Sequence, residues 1–194
     1  MTAKLKGLVL AGGFSRRMGS DKALLDYHGK PQAIHAYEQV AAWTESAWVS
    51  CREGQLAFDV PQLHDRVEGQ GPMGGILRAF EEDPDAAWLV VACDLPLLSE
   101  AVLELLIAER DPDKIATAFR ASGNGLPEPL CAIYEPASAS ILREWLAQDR
   151  RCPRKVLITQ DEQEGAVRLL DLPGQNPLDN ANAPEDIERL KEAL

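Results

Sequence analysis

Apolar, β-branched runs alternate along the chain with segments of helical period. Leu5–Leu10, Ala47–Cys51, Trp88–Ala92, Ile115–Ala118 and Leu130–Tyr134 read as strands, with a further short strand at Val167–Asp171. Gln32–Ala42, Met73–Glu82, Glu100–Arg110, Ala137–Ala147 and Pro184–Leu194 read as helices. This alternation predicts an α/β fold: one domain over residues 1–194, with a doubly wound, mostly parallel sheet covered on both faces. Right-handed crossovers then place ligand loops at the carboxyl ends of the strands. The last predicted helix has a clear start, with Asn182 as cap, Pro184 in the first turn and Glu185 three residues on. Capping accounts for Asn182 but not for Asn180, two residues earlier.

A length of 194 residues fits one domain with a full core. No apolar run reaches membrane-span length, and the N-terminus lacks the apolar stretch of a signal peptide, so a soluble, cytoplasmic protein is expected. Cys51, Cys93, Cys131 and Cys152 are widely spaced and the three histidines scattered, against a zinc site or a disulfide framework. The net charge of −11 argues against a nucleic-acid surface. Its distribution says more: residues 1–30 carry +4 and residues 143–155 carry +3, leaving −18 on the rest. Two anionic ligands, or one large one, would account for that concentration. For the second cluster, helix C-terminal charge is the competing explanation.

The most informative segment follows the first strand: Leu-Ala-Gly-Gly-Phe-Ser-Arg-Arg-Met-Gly-Ser-Asp-Lys at residues 10–22. Glycines let backbone N–H groups approach a ligand, and Arg16, Arg17 and Lys22 add positive charge, which together make a cradle for a polyphosphate. The spacing is neither that of a Walker A loop nor that of a dinucleotide-binding fingerprint. Asp94 follows the run Trp88–Ala92, where a parallel strand leaves the sheet. A carboxylate there faces the crevice and suits Mg2+, which prefers one or two carboxylates with phosphates and water, so Asp94 is the expected metal ligand. Ser99 is better placed than Asp94 to cap the helix that follows. Gly71-Pro72-Met73-Gly74-Gly75 opens another helix, and two glycines in a first turn point to close packing, to a ligand, or to both.

The segment at 10–22 resembles the signature of nucleotidyltransferases similar to molybdenum cofactor guanylyltransferase. The likeness continues through Gly29-Lys30-Pro31, residues 71–75, Cys93-Asp94-Leu95-Pro96, Glu128-Pro129-Leu130 and residues 180–186. It implies a Rossmann-like nucleotidyltransferase fold and a nucleotide contact at Asp65. It also matches Asn180 and Asn182 to the paired asparagines of an acceptor pocket that the basic run Arg150–Lys155 borders. Cys51-Arg52 departs from the family, which commonly has an asparagine near this position to help read the base. Guanine would then be read by other groups, such as backbone atoms at Leu10, Ala11, Gly12 and Gly13 and at Gly71, Pro72 and Met73.

The expected reaction is transfer of GMP from GTP to the terminal phosphate of molybdopterin, with release of pyrophosphate. Arg16 and Lys22 stabilise the charge on the reacting and leaving phosphates, and Mg2+ on Asp94 bridges phosphate oxygens. The attacking phosphate is already anionic, so no general base is needed. The resemblance implies transient contacts with proteins that supply molybdopterin or mature molybdoenzymes. The alternatives are a molybdopterin cytidylyltransferase, whose relatives tend to read Leu-Ala-Ala-Gly, a sugar-phosphate nucleotidyltransferase, and a catalytically quiet nucleotide-binding module.

Overall fold

The computed structural model describes residues 2–12, 21–67, 69–173 and 177–178. The predicted helix Pro184–Leu194, with its cap at Asn182, lies outside them. In chain order the elements are β1 (Leu5–Leu10), α1 (Gln32–Ala41), β2 (Ala47–Cys51), β3 (Gln62–His64), α2 (Gly71–Glu82) and β4 (Ala87–Ala92). There follow α3 (Glu100–Ala108), β5 (Ala116–Arg120), β6 (Pro127–Tyr134), α4 (Ser138–Ala147), α5 (Pro153–Glu164) and β7 (Val167–Leu170).

The strands form one sheet in the order β3-β2-β1-β4-β6-β5-β7. All run the same way except β6, which is antiparallel to both β4 and β5. The chain steps outward from β1 to β2 and β3, then returns to lay β4 on the other side of β1. The strand order therefore reverses between β1 and β4, which in open α/β sheets is where ligands bind.

Period-two alternation sorts the central strands into two apolar layers. Val9, Val49, Leu89, Val91 and Ile133 point to the face covered by α1 and α3, where Ala36, Val40, Leu103 and Leu106 meet them. Leu8, Trp88, Val90 and Tyr134 point to the opposite face, under Met73, Ile76 and Phe80 of α2, Leu142 and Trp145 of α4, and Val156 and Leu157 of α5. β4 is buried at every position, as a central strand covered on both sides must be.

Two elements depart from the sequence reading. β3 is a strand of three residues on the sheet edge, in a stretch the apolar pattern does not mark as a strand. α5 begins inside the basic run Arg150–Lys155 and continues to Glu164, where the hydrophobic pattern predicts no helix. Three cations of the basic run are engaged, two before the helix and one in its first turn: Arg150 stacks on the Trp145 ring, Arg151 donates to the Gly69 carbonyl (2.6 Å) and Arg154 pairs with Glu128 (2.6 Å). Helix ends also shift. α2 starts at Gly71 rather than Met73, α3 stops at Ala108 rather than Arg110, and α4 starts at Ser138 rather than Ala137. Ser99 occupies the cap position of α3, without a side-chain cap hydrogen bond.

Gly7 marks a close approach of α1 to β1. A Cβ there would collide with Val40 Cγ1 and lie 3.0 Å from both Ala47 Cβ and Thr44 Oγ1. Val40 is β-branched and fully buried, so it cannot rotate away. Gly7→Ala is expected to destabilise the fold by about 1–3 kcal/mol, the usual result of overpacking. Thermal or urea unfolding measures it, and an unchanged midpoint would contradict this account of the contact.

Candidate active site

The carboxyl edge of the sheet gathers the candidate residues. β1 ends at Leu10, and its direction continues through two ladder-like bonds: Ala11 N–H donates to the Ser50 carbonyl (2.8 Å) and Cys93 N–H to the Leu10 carbonyl (3.1 Å). These bonds hold Leu10 and Ala11 between the ends of β2 and β4. Across the β1/β4 crevice, Lys22 Nζ lies 2.9 Å from Asp94 Oδ2, with side chains 16% and 19% exposed. Lys22 opens a single 3-10 turn over Lys22–Leu24, which Asp21 caps by accepting the Ala23 N–H at Oδ1 (3.1 Å). Residues 72 apart in sequence thus meet at the point where the strand order reverses.

Asp65 follows β3, and Ser50 of β2 donates its hydroxyl to Asp65 Oδ1 (3.2 Å). Its other oxygen presses on the glycine segment: a Cβ at Gly12 would lie 3.1 Å from Oδ2. Burial holds the Asp65 carboxyl above its ordinary value, while the Ser50 hydroxyl, Arg52 and His64 pull the other way. Gly71 and Pro72 form the first turn of α2, on the same edge. One turn in, a Cβ at Gly75 would lie 2.6 Å from Leu10 Cδ2 and 2.7 Å from Ser50 Oγ, so the packing explanation for that glycine holds. It also brings α2 against the residues that carry Ala11 and Asp65. On the far side of β4, the start of β6 brings Glu128 to this edge, where it pairs with Arg154 from the first turn of α5.

Lys22, Asp65, Asp94, Leu10, Ala11, Gly12, Gly71 and Pro72 therefore share one edge of the sheet. Arg16, Gly13, Asn180 and Asn182 lie outside the described residues. The Cys51 thiol is buried, with Sγ 3.2 Å from Gln62 Oε1, and burial with nearby carboxylates raises its pKa to about 11. It points at Gln62 and stays protonated, so it does not replace an amide as a base reader. A hollow of about 380 Å3 lies to one side, between α2 and α4. Asp65 lines it, but its other walls include Gln70, Arg78 and Arg143 rather than the crevice residues.

Gln55 escaped the sequence reading. From the β2–β3 connection it donates through Nε2 to the Ala11 carbonyl (2.8 Å) and to Asp21 Oδ2 (2.7 Å), and its Oε1 accepts from Arg52 N–H (3.0 Å) and Nε (3.3 Å). No local pattern announces such a residue, because the partners of its amide N–H groups, Asp21 and Ala11, lie 34 and 44 positions away.

Among the described residues no group of three or more His, Cys, Asp or Glu could hold a metal by itself. Asp94 offers a partly exposed carboxylate at a strand end. That fits a hard cation taking most of its ligands from phosphates and water.

Residues 7–164 match the model of the MobA-like NTP transferase domain. The chain is 38% identical over 94% of its length to a molybdenum cofactor biosynthesis bifunctional protein of Synechocystis, of which it spans 52%. It is 35% identical to a probable molybdenum cofactor guanylyltransferase of Synechococcus elongatus, over 95% of this chain and 96% of that one. Its fold matches that of molybdopterin-guanine dinucleotide biosynthesis protein A from Archaeoglobus fulgidus, with a TM-score of 0.76 over 97% of both chains at 24% identity. The sheet order and the family match agree, and the chain belongs to the MobA-like NTP transferase family and is a nucleotidyltransferase.

Proposed function

We propose that this enzyme transfers GMP from GTP to the terminal phosphate of molybdopterin, forming molybdopterin guanine dinucleotide and pyrophosphate. The observation that carries nucleotidyl transfer is the Lys22–Asp94 pair at the β1/β4 crevice, beside Ala11 and Gly12. The names of the relatives support guanine and molybdopterin, as does the reading Ala11-Gly12-Gly13 in place of Ala-Ala-Gly.

In this reading the triphosphate lies across the carboxyl edge, over Leu10, Ala11, Gly12 and Gly13, with Gly71 and Pro72 beside the nucleoside. Asp65 accepts a hydrogen bond from the nucleoside. Such a bond accounts for keeping a carboxylate half-buried against Gly12. An acceptor phosphate oxygen attacks the α-phosphorus in line. The bond to the bridging oxygen breaks and pyrophosphate leaves with that electron pair. Asp94 would hold Mg2+, which when bound neutralises triphosphate charge. Lys22, with Arg16, takes up charge growing on the departing pyrophosphate. Asn180 and Asn182 hydrogen-bond the pterin acceptor. Positioning supplies most of the rate, since the nucleophile arrives already ionised.

Asp94→Ala is expected to lower turnover roughly 10²-fold or more while the melting temperature stays near wild type. Activity above a tenth of wild type would remove Asp94 from the metal role. Pyrophosphate release with each nucleoside triphosphate, with and without molybdopterin, tests base and acceptor together. GTP with molybdopterin should dominate, and equal use of CTP would shift the assignment to a cytidylyltransferase.

Asp65→Asn should trade function for stability. The fold favours the neutral carboxyl, so ionised Asp65 opposes folding as pH rises through its raised value, and the opposition vanishes below the ordinary value of 3.8. Asparagine keeps the Ser50 partner without the charge. The variant should melt higher than wild type at pH 7, with the difference closing toward pH 4, and it should bind GTP more weakly. A lower melting point at pH 7 would refute the burial argument.

A further inference from the structure

We propose that Gln55 is a positioning residue for nucleotidyl transfer. Its side-chain amide fixes the separation of Ala11 and Asp21, the two ends of the glycine segment, and through Asp21 it sets Lys22 against Asp94. This rests on the reading that the crevice takes a nucleoside triphosphate.

A glutamine amide offers two donors and two acceptor positions, and here all four are used. Both N–H groups go to the ends of one segment, Ala11 before it and Asp21 after it, at 2.8 and 2.7 Å. Both acceptor positions go to Arg52, which locks the amide so that its N–H face cannot turn away. The link runs on without a gap. Asp21 Oδ2 receives Gln55, and Asp21 Oδ1 caps the turn that begins with Lys22. Lys22 Nζ then meets Asp94 at 2.9 Å. One side chain from the β2–β3 connection thus ties the end of β1 to the turn that carries the crevice lysine. Asparagine is one methylene too short to span both partners. Glutamate fits the space but presents an oxygen to the Ala11 carbonyl and the Asp21 carboxylate, which are both acceptors.

The experiment compares wild type with Gln55→Glu, Gln55→Leu, Asp21→Ala and the Gln55→Leu/Asp21→Ala double variant. The readouts are calorimetric titration with GTP and with CTP in the presence of Mg2+, pyrophosphate release, and thermal melting. Both Gln55 variants should lose roughly 10²-fold in kcat, the cost of an ångström-scale misplacement, with melting points within a few degrees of wild type. The isosteric glutamate should fare no better than leucine, because the donors matter and the volume does not. The double variant should be no worse than Asp21→Ala alone, since the two act as one link. Wild-type kcat and KM with only a lowered melting point, or losses that multiply in the double variant, would overturn the role of Gln55 while leaving the nucleotide reading intact. Failure of wild type to bind either nucleotide would overturn both.

Discussion

Six consecutive pairs, from Leu5 with Ala87 to Leu10 with Ala92, hold β1 parallel to β4, and the two strands end level with each other. Because the chain crosses over to form β4 only after β2 and β3 are laid down, nothing in sequence forces those two ends together. The register does, and every residue described around the crevice inherits its place from it. A one-residue slip of β1 would turn Val9 into the layer of Leu8 and Leu8 into that of Val9, and so misplace both apolar faces at once. The burial that fixes the fold therefore also fixes the distance between Lys22 and Asp94.

The two edges of the sheet divide the work. At the amino edge Arg110 grips Glu135 through two hydrogen bonds of 2.6 and 2.9 Å and also donates to the Ala3 carbonyl, with side chains 11% and 3% exposed. That bidentate pair closes the sheet where no ligand is expected, and breaking it would strand a buried charge. At the carboxyl edge, by contrast, the Lys22 and Asp94 side chains stay partly open, and burial holds the Asp65 carboxyl above its ordinary value. The polar groups of one edge serve the fold, while those of the other are kept available.

Central strands and amphipathic helices could be read from sequence because burial on both faces, or on one stripe, leaves a periodic trace. Leu5–Leu10 and Ala47–Cys51 matched to the residue. The meeting of Asp94 and Lys22 at one edge was legible because a glycine-rich segment and a carboxylate directly behind an apolar run are local signals. α5 was not: only Pro153, Val156 and Leu157 are buried, its middle is β-branched, and its acids sit at the C-terminal end, where the helix dipole disfavours them. Its only clear marks were Pro153 at the start and Gly165, in the left-handed region, at the end. β3 was too short to show a period. Gln55 was invisible for a different reason, since its partners are set by topology and not by spacing.

The reversed strand β6 has its own consequence. Because it runs against its neighbours, the turn from Ala121 to Leu126 that joins it to β5 lies on the same rim as the crevice, and most of that turn is exposed. Residues can be added to or removed from such a tip at small entropic cost, without touching either apolar layer. The architecture thus sets a length-tolerant hairpin beside a register-locked crevice. The rim can change length there while the register of β1 and β4 stays as it is.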